Sequence, residues 1–295
     1  MLEFRDITID DKKIFDKYRT EGGIASESSF TTLFIWNDYY NAKVADDGEF
    51  LYYQFNVKDR IPSYYFPIGS GDPNIALDRL KEYTEANGHI MAFRLVTENQ
   101  LEMLLAYQGT QFIYNEERDC EDYVYHTEQM ISLAGKKLHA KRNHINYFIE
   151  NYEYTYEEVT PEVAVNECAP LMYELIAEKD HNLNPFELSA MKLFFENYSA
   201  LGEKGAVIRV DGKIVAMSFG EAISKETALI QLEQAREEYR GAYQVINKLF
   251  CEKAWSQYTF VNREEDMGIE GLRKAKESYH PIFLVKKYTV VEVKG

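Results

Sequence analysis

A short apolar segment that ends in a cluster of polar residues, close to the end of the chain, limits the possible folds more than any other feature. Residues 258–261 are mostly aromatic and β-branched, which predicts a strand, and residues 262–266 are all polar or charged. Residues 267–280 carry glycines near their start and apolar side chains at helical spacing, and they end before Pro281, which predicts a helix. Loops between a strand and a helix present side chains from a rigid frame. We therefore expect a functional site here.

The order of predicted elements in the first half of the chain is repeated in the second half. Residues 1–130 predict a strand, a helix, paired strands, a helix, a strand, a helix and a strand. Residues 152–295 predict a strand, two helices, a hairpin, a strand, a helix, a strand, a helix and a last strand at 282–293. We expect a duplicated α+β fold with a mixed α/β sheet in each domain, and residues 131–151 as a basic helix that connects the domains.

The charge balance excludes some classes of partner. The 295 residues include 33 Lys and Arg against 49 Asp and Glu, a formal net charge of −16. A protein that coats nucleic acid needs basic residues to displace counterions from phosphates, so only a local basic patch is left for such a partner. No apolar run approaches the roughly 18 residues that span a bilayer, and the acidic N-terminus lacks a leader pattern. This predicts a cytoplasmic protein without an integral membrane segment.

The cysteines and histidines show no metal-binding pattern. Cys120, Cys168 and Cys251 are far apart in the chain, and no two histidines stand at the spacing of an HxxxH motif. We expect no metal site.

One segment concentrates basic residues in this acidic chain. Residues 131–151 contain Lys136, Lys137, Lys141 and Arg142. A charged run on a helix is usually a solvated face. The alternative interpretation is an anion-attracting patch at the domain junction, where phosphate groups of a cofactor, lipid or RNA bind and Asn143 adds a hydrogen bond. The sequence leaves both interpretations open.

Three motifs carry a resemblance to a known family. They are HAKRNHINYF at 139–148, RGAYQVINKLF at 240–250 and NREEDMGIEGLRKAKESYHP at 262–281. Together they resemble a bacterial family of unknown function that is related to the C-terminal domain of phosphatidylglycerol lysyltransferase, and the order of elements from residue 205 onward resembles the GNAT acyltransferase fold. The resemblance implies two tandem GNAT-like acyltransferase domains. It also implies transfer of an acyl or aminoacyl group from an activated donor, such as aminoacyl-tRNA, to an amine or hydroxyl acceptor.

The turn before residue 242 is the donor-binding loop that the resemblance implies. In acetyltransferases of this fold, a Gln/Arg-x-x-Gly-x-Gly/Ala loop holds the pyrophosphate of acetyl-CoA through backbone amides. Glu238 and Tyr243 depart from that pattern at its two ends, which favours a donor other than CoA. A phosphate can still bind the helix N-terminus, so an acetyl-CoA-dependent N-acetyltransferase stays the alternative. The expected donor-binding residues are Arg240, Gly241, Ala242, Tyr243 and Gln244.

Acyl transfer to an amine needs a base that takes the amine proton, hydrogen-bond donors that stabilise an oxyanion, and an acid that protonates the leaving group. In GNAT-like folds the acyl group lies where the fourth and fifth strands diverge, which the resemblance puts at 227–233 and 258–261. The candidate bases there are Glu233 and Glu264. The candidate hydrogen-bond donors to the acyl carbonyl are Asn262 and Arg263, and the candidate acid is Tyr279. Two structural alternatives stay open, because Tyr279 can be a buried aromatic residue and Arg263 can belong to a salt-bridge cluster.

A basic groove would suit a phosphate-rich donor. We expect it to join Lys137, Arg142, Arg240 and Lys274, and to favour aminoacyl-tRNA. Lysyltransferases that modify lipids carry a membrane region that is not evident here, so the expected acceptor is a soluble amine. A third hypothesis is a non-catalytic scaffold that binds a ligand or a protein, in which the polar cluster at 262–266 is structural.

Overall fold

Strands and helices follow one another along most of the chain. The computed structural model describes residues 1–18, 22–179 and 184–293. Within these residues the strands are β1 (Arg5–Asp6), β2 (Ala42–Asp46), β3 (Phe50–Phe55), β4 (Ser63–Tyr64), β5 (Ile68–Gly69), β6 (Ala92–Val96), β7 (Phe112–Glu116), β8 (Asp122–His126), β9 (Tyr154–Glu158), β10 (Lys204–Val210), β11 (Lys213–Ala222), β12 (Thr227–Ala235), β13 (Phe260–Asn262), β14 (Phe283–Val285) and β15 (Tyr288–Glu292). The helices are α1 (Lys12–Tyr18), α2 (Phe30–Ile35), α3 (Asn37–Tyr40), α4 (Pro73–Ala86), α5 (Glu98–Ala106), α6 (Thr127–Ser132), α7 (His139–Asn151), α8 (Pro161–Val163), α9 (Ala169–Lys179), α10 (Pro185–Glu196), α11 (Tyr198–Leu201), α12 (Ala242–Ala254) and α13 (Glu270–Glu277). A π-helical turn, Ala164–Cys168, joins α8 to α9.

Both sheets have the same strand order, which confirms the duplicated fold. The first sheet runs β1-β2-β3-β4-β6-β15-β7, with β5 beside β3, and the second runs β9-β10-β11-β12-β13-β8-β14. Among the described strands, each sheet has one parallel pair, β4 with β6 and β12 with β13. The sixth place in each sheet is taken by a strand from the other half of the chain, β15 in the first sheet and β8 in the second. The two halves therefore exchange strands reciprocally.

Two chain segments carry the exchange, and they run side by side. Strand β7 pairs antiparallel with β15, and β8 pairs antiparallel with β14, so residues 112–126 and 283–292 cross together from one sheet to the other. Where they cross, the fully buried Lys287 ammonium lies 3.3 Å from Asp122 Oδ2 and also contacts Glu27. A buried charge needs a compensating partner, and here two carboxylates face one ammonium.

The exchange differs from the domain boundaries expected from the sequence. The sequence predicts one last strand at 282–293, but the structure has two strands there, and they lie in different sheets. The last strand predicted in the first half, at 111–125, likewise divides into β7 and β8, and these lie one in each sheet. Boundaries at residues 130 and 152 therefore do not separate the sheets. The link between β14 and β15 is only two residues long, too short to give a turn signal in the sequence.

The basic segment between the halves is also two elements rather than one helix. Helix α6 ends at Ser132 and α7 begins at His139. In α7 the buried side chains of Ile145 and Phe148 stand three residues apart, which defines one apolar stripe. This stripe packs against α12, so α7 covers the start of that helix instead of linking two separate domains.

Three large apolar cores hold the helices against the sheets. One lies between the second sheet and helices α7 and α12, and includes Phe148 and Trp255. Another lies between the first sheet and helices α4 and α5. The third is shared by the two halves, because Phe30 of α2 and Phe219 of β11 belong to the same cluster. None of the helices within the described residues is long and apolar enough to cross a membrane.

Candidate functional site

A bulge in β12 sends neighbouring polar side chains to opposite faces of the second sheet. The pairing of β11 with β12 skips Gln231, which is therefore an extra residue in its strand. Residues two apart in a regular strand share a face, but here the Gln231 amide lies 2.9 Å from Ser29 Oγ in the first half of the chain, while Glu233 contacts α12. Gly220 permits the bulge, because a Cβ there would overlap the carbonyl oxygen of Leu229.

On the α12 side of the sheet, Glu233 holds a buried arginine. Arg263 Nη2 donates to Glu233 Oε1 at 2.8 Å, and Asn247 Nδ2 donates to Glu233 Oε2 at 3.0 Å. Burial alone would lower the Arg263 pKa, but Glu233 raises it overall, so the guanidinium stays charged. Arg263 Nη1 and Asn247 Oδ1 are buried without a hydrogen-bond partner among the described residues. Such atoms are rare in folded proteins, so these two mark a candidate site for a ligand.

Tyr279 and Lys141 complete a group that we call the charged chamber, which consists of Lys141, Glu233, Asn247, Arg263 and Tyr279. Lys141 Nζ lies 4.1 Å from the centroid of the Tyr279 ring, and Arg263 Cζ lies 5.0 Å from it. Burial raises the pKa of Tyr279 above its ordinary value, so its hydroxyl stays protonated. Burial, and then the charge of Arg263, lower the pKa of Lys141 to about 8. The chamber thus combines a protonated hydroxyl, an unpaired arginine N–H and an amine that titrates near neutral pH.

Two members of the charged chamber are missing from the site predicted from the sequence. Lys141 stands four residues before Ile145 and seven before Phe148, so helical spacing puts it on the inward stripe of α7. Asn247 is buried between apolar residues on the inward face of α12. A polar side chain at a core position of an amphipathic helix is the signal that would have identified both residues.

Two residues of the predicted site lie on the opposite face of the sheet. Glu264 Oε1 accepts a hydrogen bond from Thr32 Oγ1 at 3.2 Å, and Asn262 Nδ2 donates to Asp122 Oδ2 at 2.9 Å. Burial, and then a neighbouring carboxylate, raise the pKa of Glu264 well above its ordinary value. Side chains alternate along β13 and its continuation, so Arg263 faces α12 while Asn262 and Glu264 face the first half. Fully buried Asn262 belongs to the strand crossing and does not reach the charged chamber.

Ion pairs fix the chain that follows β13. Arg273 Nε donates to Asp266 Oδ2 at 2.8 Å, and Arg118 Nη1 donates to the same oxygen at 3.2 Å. Burial would raise the Asp266 pKa, but the hydrogen bonds from Arg273, and then from Tyr123, lower it far below its ordinary value. Lys276 Nζ donates to the Arg263 carbonyl oxygen at 2.6 Å. The ion pairs of Asp266 and the hydrogen bond from Lys276 therefore hold the backbone on either side of residue 264 in place, which is a structural role.

Helix α7 lies directly on the turn that the sequence identifies as the donor-binding loop. Gly241 has a φ of 96°, and a Cβ there would overlap the carbonyl oxygen of His144 in α7. The Ala242 amide donates to Tyr239 O at 2.9 Å, and Tyr243 Oη donates to Gln234 Oε1 at 3.0 Å. Gln244 is half-buried in the first turn of α12. The backbone of α7 thus packs tightly against Gly241 in this turn.

The predicted basic groove is only partly available to a ligand. Arg142 donates to the carbonyl oxygens of Leu133 and Gly135, the latter at 2.8 Å, and so closes the end of α6. Lys274 pairs with Glu270 at 2.6 Å, and its side chain is 72% exposed. These contacts give Arg142 a structural role and leave Lys274 on the outer surface of α13.

The remaining residues of the predicted groove, and Asn143 of the predicted anion-attracting patch, are exposed. Arg240 lies over the ring of Tyr147, 4.5 Å from its centroid. Lys137 is in the loop before α7, and Asn143 contacts His139 at 3.2 Å. Among the residues that the structure describes, no three His, Cys, Asp or Glu side chains are arranged to hold a metal ion.

The whole chain is similar to proteins of known fold. A family model described as phosphatidylglycerol lysyltransferase, C-terminal, matches residues 22–291. A conserved protein of unknown function from Bacteroides thetaiotaomicron is 35% identical, with a TM-score of 0.93 over 99% of this chain and 100% of that one. L-PGS from Bacillus licheniformis is 17% identical, with a TM-score of 0.70 over 97% of this chain and 92% of that one.

A third structure identifies the fold by name. A tandem GNAT protein from the clavulanic acid biosynthesis pathway is 9% identical, with a TM-score of 0.54 over 100% of this chain and 99% of that one. At such low identity the likeness shows the fold alone. The fold is a pair of tandem GNAT-like domains.

Proposed function

Because the chain belongs to the family of phosphatidylglycerol lysyltransferase C-terminal domains, we propose that it transfers an aminoacyl or similar acyl group to a soluble amine. The donor is an activated ester such as aminoacyl-tRNA, and CoA takes no part. The reaction takes place in the charged chamber of the second half.

One observation favours a donor other than CoA. The backbone of α7 lies against Gly241, so close that not even a methyl group fits between them. Backbone amides at the start of a helix bind a pyrophosphate only if it can approach them, so this close contact supports a donor other than CoA. Helix α7 is held there by a core that includes Ile145 and Phe148.

The groups of the charged chamber match the needs of ester aminolysis. In the proposed step a bond forms between the amine nitrogen and the acyl carbon, and the bond from that carbon to the ribose oxygen breaks. Neutral Lys141 accepts the proton that the amine loses, and the Tyr279 hydroxyl gives a proton to the leaving oxygen. The unpaired Arg263 Nη1 donates to the oxyanion that develops on the acyl oxygen.

The other predicted catalytic residues take different parts in this proposal. Glu233 accepts hydrogen bonds from Arg263 and Asn247, which suits it to position the arginine rather than to act as a base. Glu264 faces the first half of the chain, and the proposal gives it no step in the reaction.

A transfer assay with a Tyr279→Phe variant tests the proposal. Wild-type protein is incubated with a radiolabelled aminoacyl-tRNA pool and a mixture of soluble amines, and the labelled amide is measured. Loss of a general acid lowers the rate by about 100-fold or more. The matched control is Tyr198→Phe, because this buried hydroxyl only donates to Val159 O at 3.3 Å. Equal rates for the two variants would refute the role of Tyr279, and a folded wild-type protein without transfer would support the scaffold hypothesis.

A further inference from the structure

The first half of the chain contains a cleft that corresponds in position to the charged chamber. Its volume is about 560 Å³, within the range of small-molecule sites. The cleft is lined by the chain after β4, the first residue of α4, the end of β6, the start of α5 and strand β14. It is therefore built where the parallel strands β4 and β6 diverge, as the chamber is built at β12 and β13.

Backbone conformation repeats between the two positions. Arg94 precedes Leu95, which has a φ of 55°, and Arg263 precedes Glu264, which also has a φ of 55°. A positive φ is uncommon for residues with a Cβ. Its recurrence at the end of the equivalent strand in each half indicates that the cleft and the chamber are equivalent sites of the duplicated fold.

The two sites differ in what covers them. In the second half, α7 lies against the turn before α12. In the first half, the turn before α4 borders the open cleft, because Gly69 and Pro73 both line it. In the first half, Glu49 and Phe50 rather than a helix contact the glycines of this turn.

The walls of the cleft are largely apolar and aromatic. The side chains that form them are Phe15, Phe50, Tyr65, Phe66, Met103 and Phe283. Of the charged residues that line the cleft, Lys286 and Glu98 are exposed and of opposite sign. These walls suit the apolar body of a small ligand.

The half-buried Glu27 gives the cleft a negative charge. Glu27 lines the cleft with a side chain that is 16% exposed, and it shares the single ammonium of Lys287 with Asp122. Two carboxylates thus face one cation, and burial raises the pKa of Glu27 to about 7. At the start of α4, Asp72 already accepts a hydrogen bond from the Asn74 amide at 2.9 Å. The start of α4 thus already carries the carboxylate of Asp72, which disfavours an anionic ligand there.

We propose that this cleft, which we call the aromatic cleft, is a second ligand site that binds a small molecule with an apolar body and a primary ammonium group. The apolar part packs between Phe50, Phe66 and Met103, and the ammonium donates to Glu27. The site does not depend on the reaction proposed for the charged chamber.

Isothermal titration calorimetry of the full chain tests this site, with 2-phenylethylamine as the probe and 2-phenylethanol as its uncharged counterpart. We expect the wild-type protein to bind the amine about tenfold more tightly than the alcohol, because a hydrogen bond to a charged group adds that much. Glu27→Gln is expected to remove the preference for the amine.

A pair of variants on α5 locates the binding without disturbing buried charges. Met103 lines the cleft and is 44% exposed, whereas Leu105 is 49% exposed and is not part of the lining. Met103→Trp is expected to fill the cleft and abolish binding of both probes, and Leu105→Trp to leave it unchanged. The proposal is overturned if the wild-type protein shows no saturable binding of the amine, if both probes bind equally, or if Met103→Trp binds as the wild type does.

Discussion

The charged chamber and the aromatic cleft occupy equivalent positions in two copies of one fold, yet they have opposite characters. In the chamber, α7 packs on the turn before α12, and the side chains are an ion pair, a lysine and a tyrosine. The cleft is open and lined mostly by aromatic and apolar side chains. The same backbone thus carries two different sets of side chains, and function depends on such side chains rather than on the fold.

The largest effect is expected at the ion pair of the charged chamber. Arg263→Met leaves the buried Glu233 carboxylate without a charged partner, which should lower the free energy of unfolding by about 3 kcal/mol. Arg209→Met is the matched control. Both arginine side chains are 14% exposed, but Glu233 is 10% exposed, whereas the partners of Arg209, Glu157 and Glu167, are 45% and 44% exposed. The control should cost less than about 1 kcal/mol. Urea unfolding measures both losses, and equal values would contradict the account.

The next effect is expected where α7 contacts Gly241. Gly241→Ala forces a Cβ into the His144 carbonyl and strains a residue with a φ of 96°. We expect a loss of about 2 kcal/mol, since α7 must shift. Gly202 also has a positive φ, but its surroundings are open, so Gly202→Ala should cost about 1 kcal/mol. If thermal unfolding shows no difference between the two variants, α7 does not pack tightly on this turn.

A pH-dependent effect is expected at Lys141. Its pKa is about 8 in the folded protein and about 10.4 in an unfolded chain. Between these values the folded state binds fewer protons, so the stability contribution of Lys141 increases as the pH rises. Lys141→Met should therefore be more stable than the wild type below pH 8, with an advantage that shrinks towards pH 10. Denaturant unfolding at several pH values measures the difference, and a constant difference would show that Lys141 is not buried.

The smallest effect is expected on the opposite face of the sheet. Burial raises the pKa of Glu264 well above its ordinary value, and Glu264→Gln imitates the protonated form. We expect a stability change below about 1 kcal/mol and a transfer rate within about threefold of the wild type. A larger loss of rate than that of Tyr279→Phe would move the reaction to this face.

The sequence predicted the fold class and the position of the polar cluster, because both depend on local patterns. The strand at 258–261, the polar residues after it and the helix before Pro281 follow from apolar spacing and from proline. The duplicated order of elements follows from the same patterns. The strand exchange does not, because each crossing is set by long-range pairing between segments such as 112–116 and 288–292.

The sequence predicted only part of the spatial grouping of the candidate residues, and the reasons are geometric. Glu233, Arg263 and Tyr279 come together as expected, but the bulge at Gln231 and the alternation along β13 put Glu264 on the other face. A one-residue bulge has no signature in a single sequence. The contact of α7 with the predicted donor-binding turn likewise cannot be predicted from the sequence, because it depends on how the helices pack.

A competition experiment tests the central claim most directly. The rate of aminoacyl transfer from labelled aminoacyl-tRNA to an amine is measured with and without CoA, and acetyl transfer from acetyl-CoA is measured in parallel. The account predicts aminoacyl transfer that CoA does not inhibit, and no acetyl transfer, because α7 packs against the turn that would have to bind the pyrophosphate. Acetyl transfer from acetyl-CoA, or inhibition of aminoacyl transfer by CoA, would contradict it.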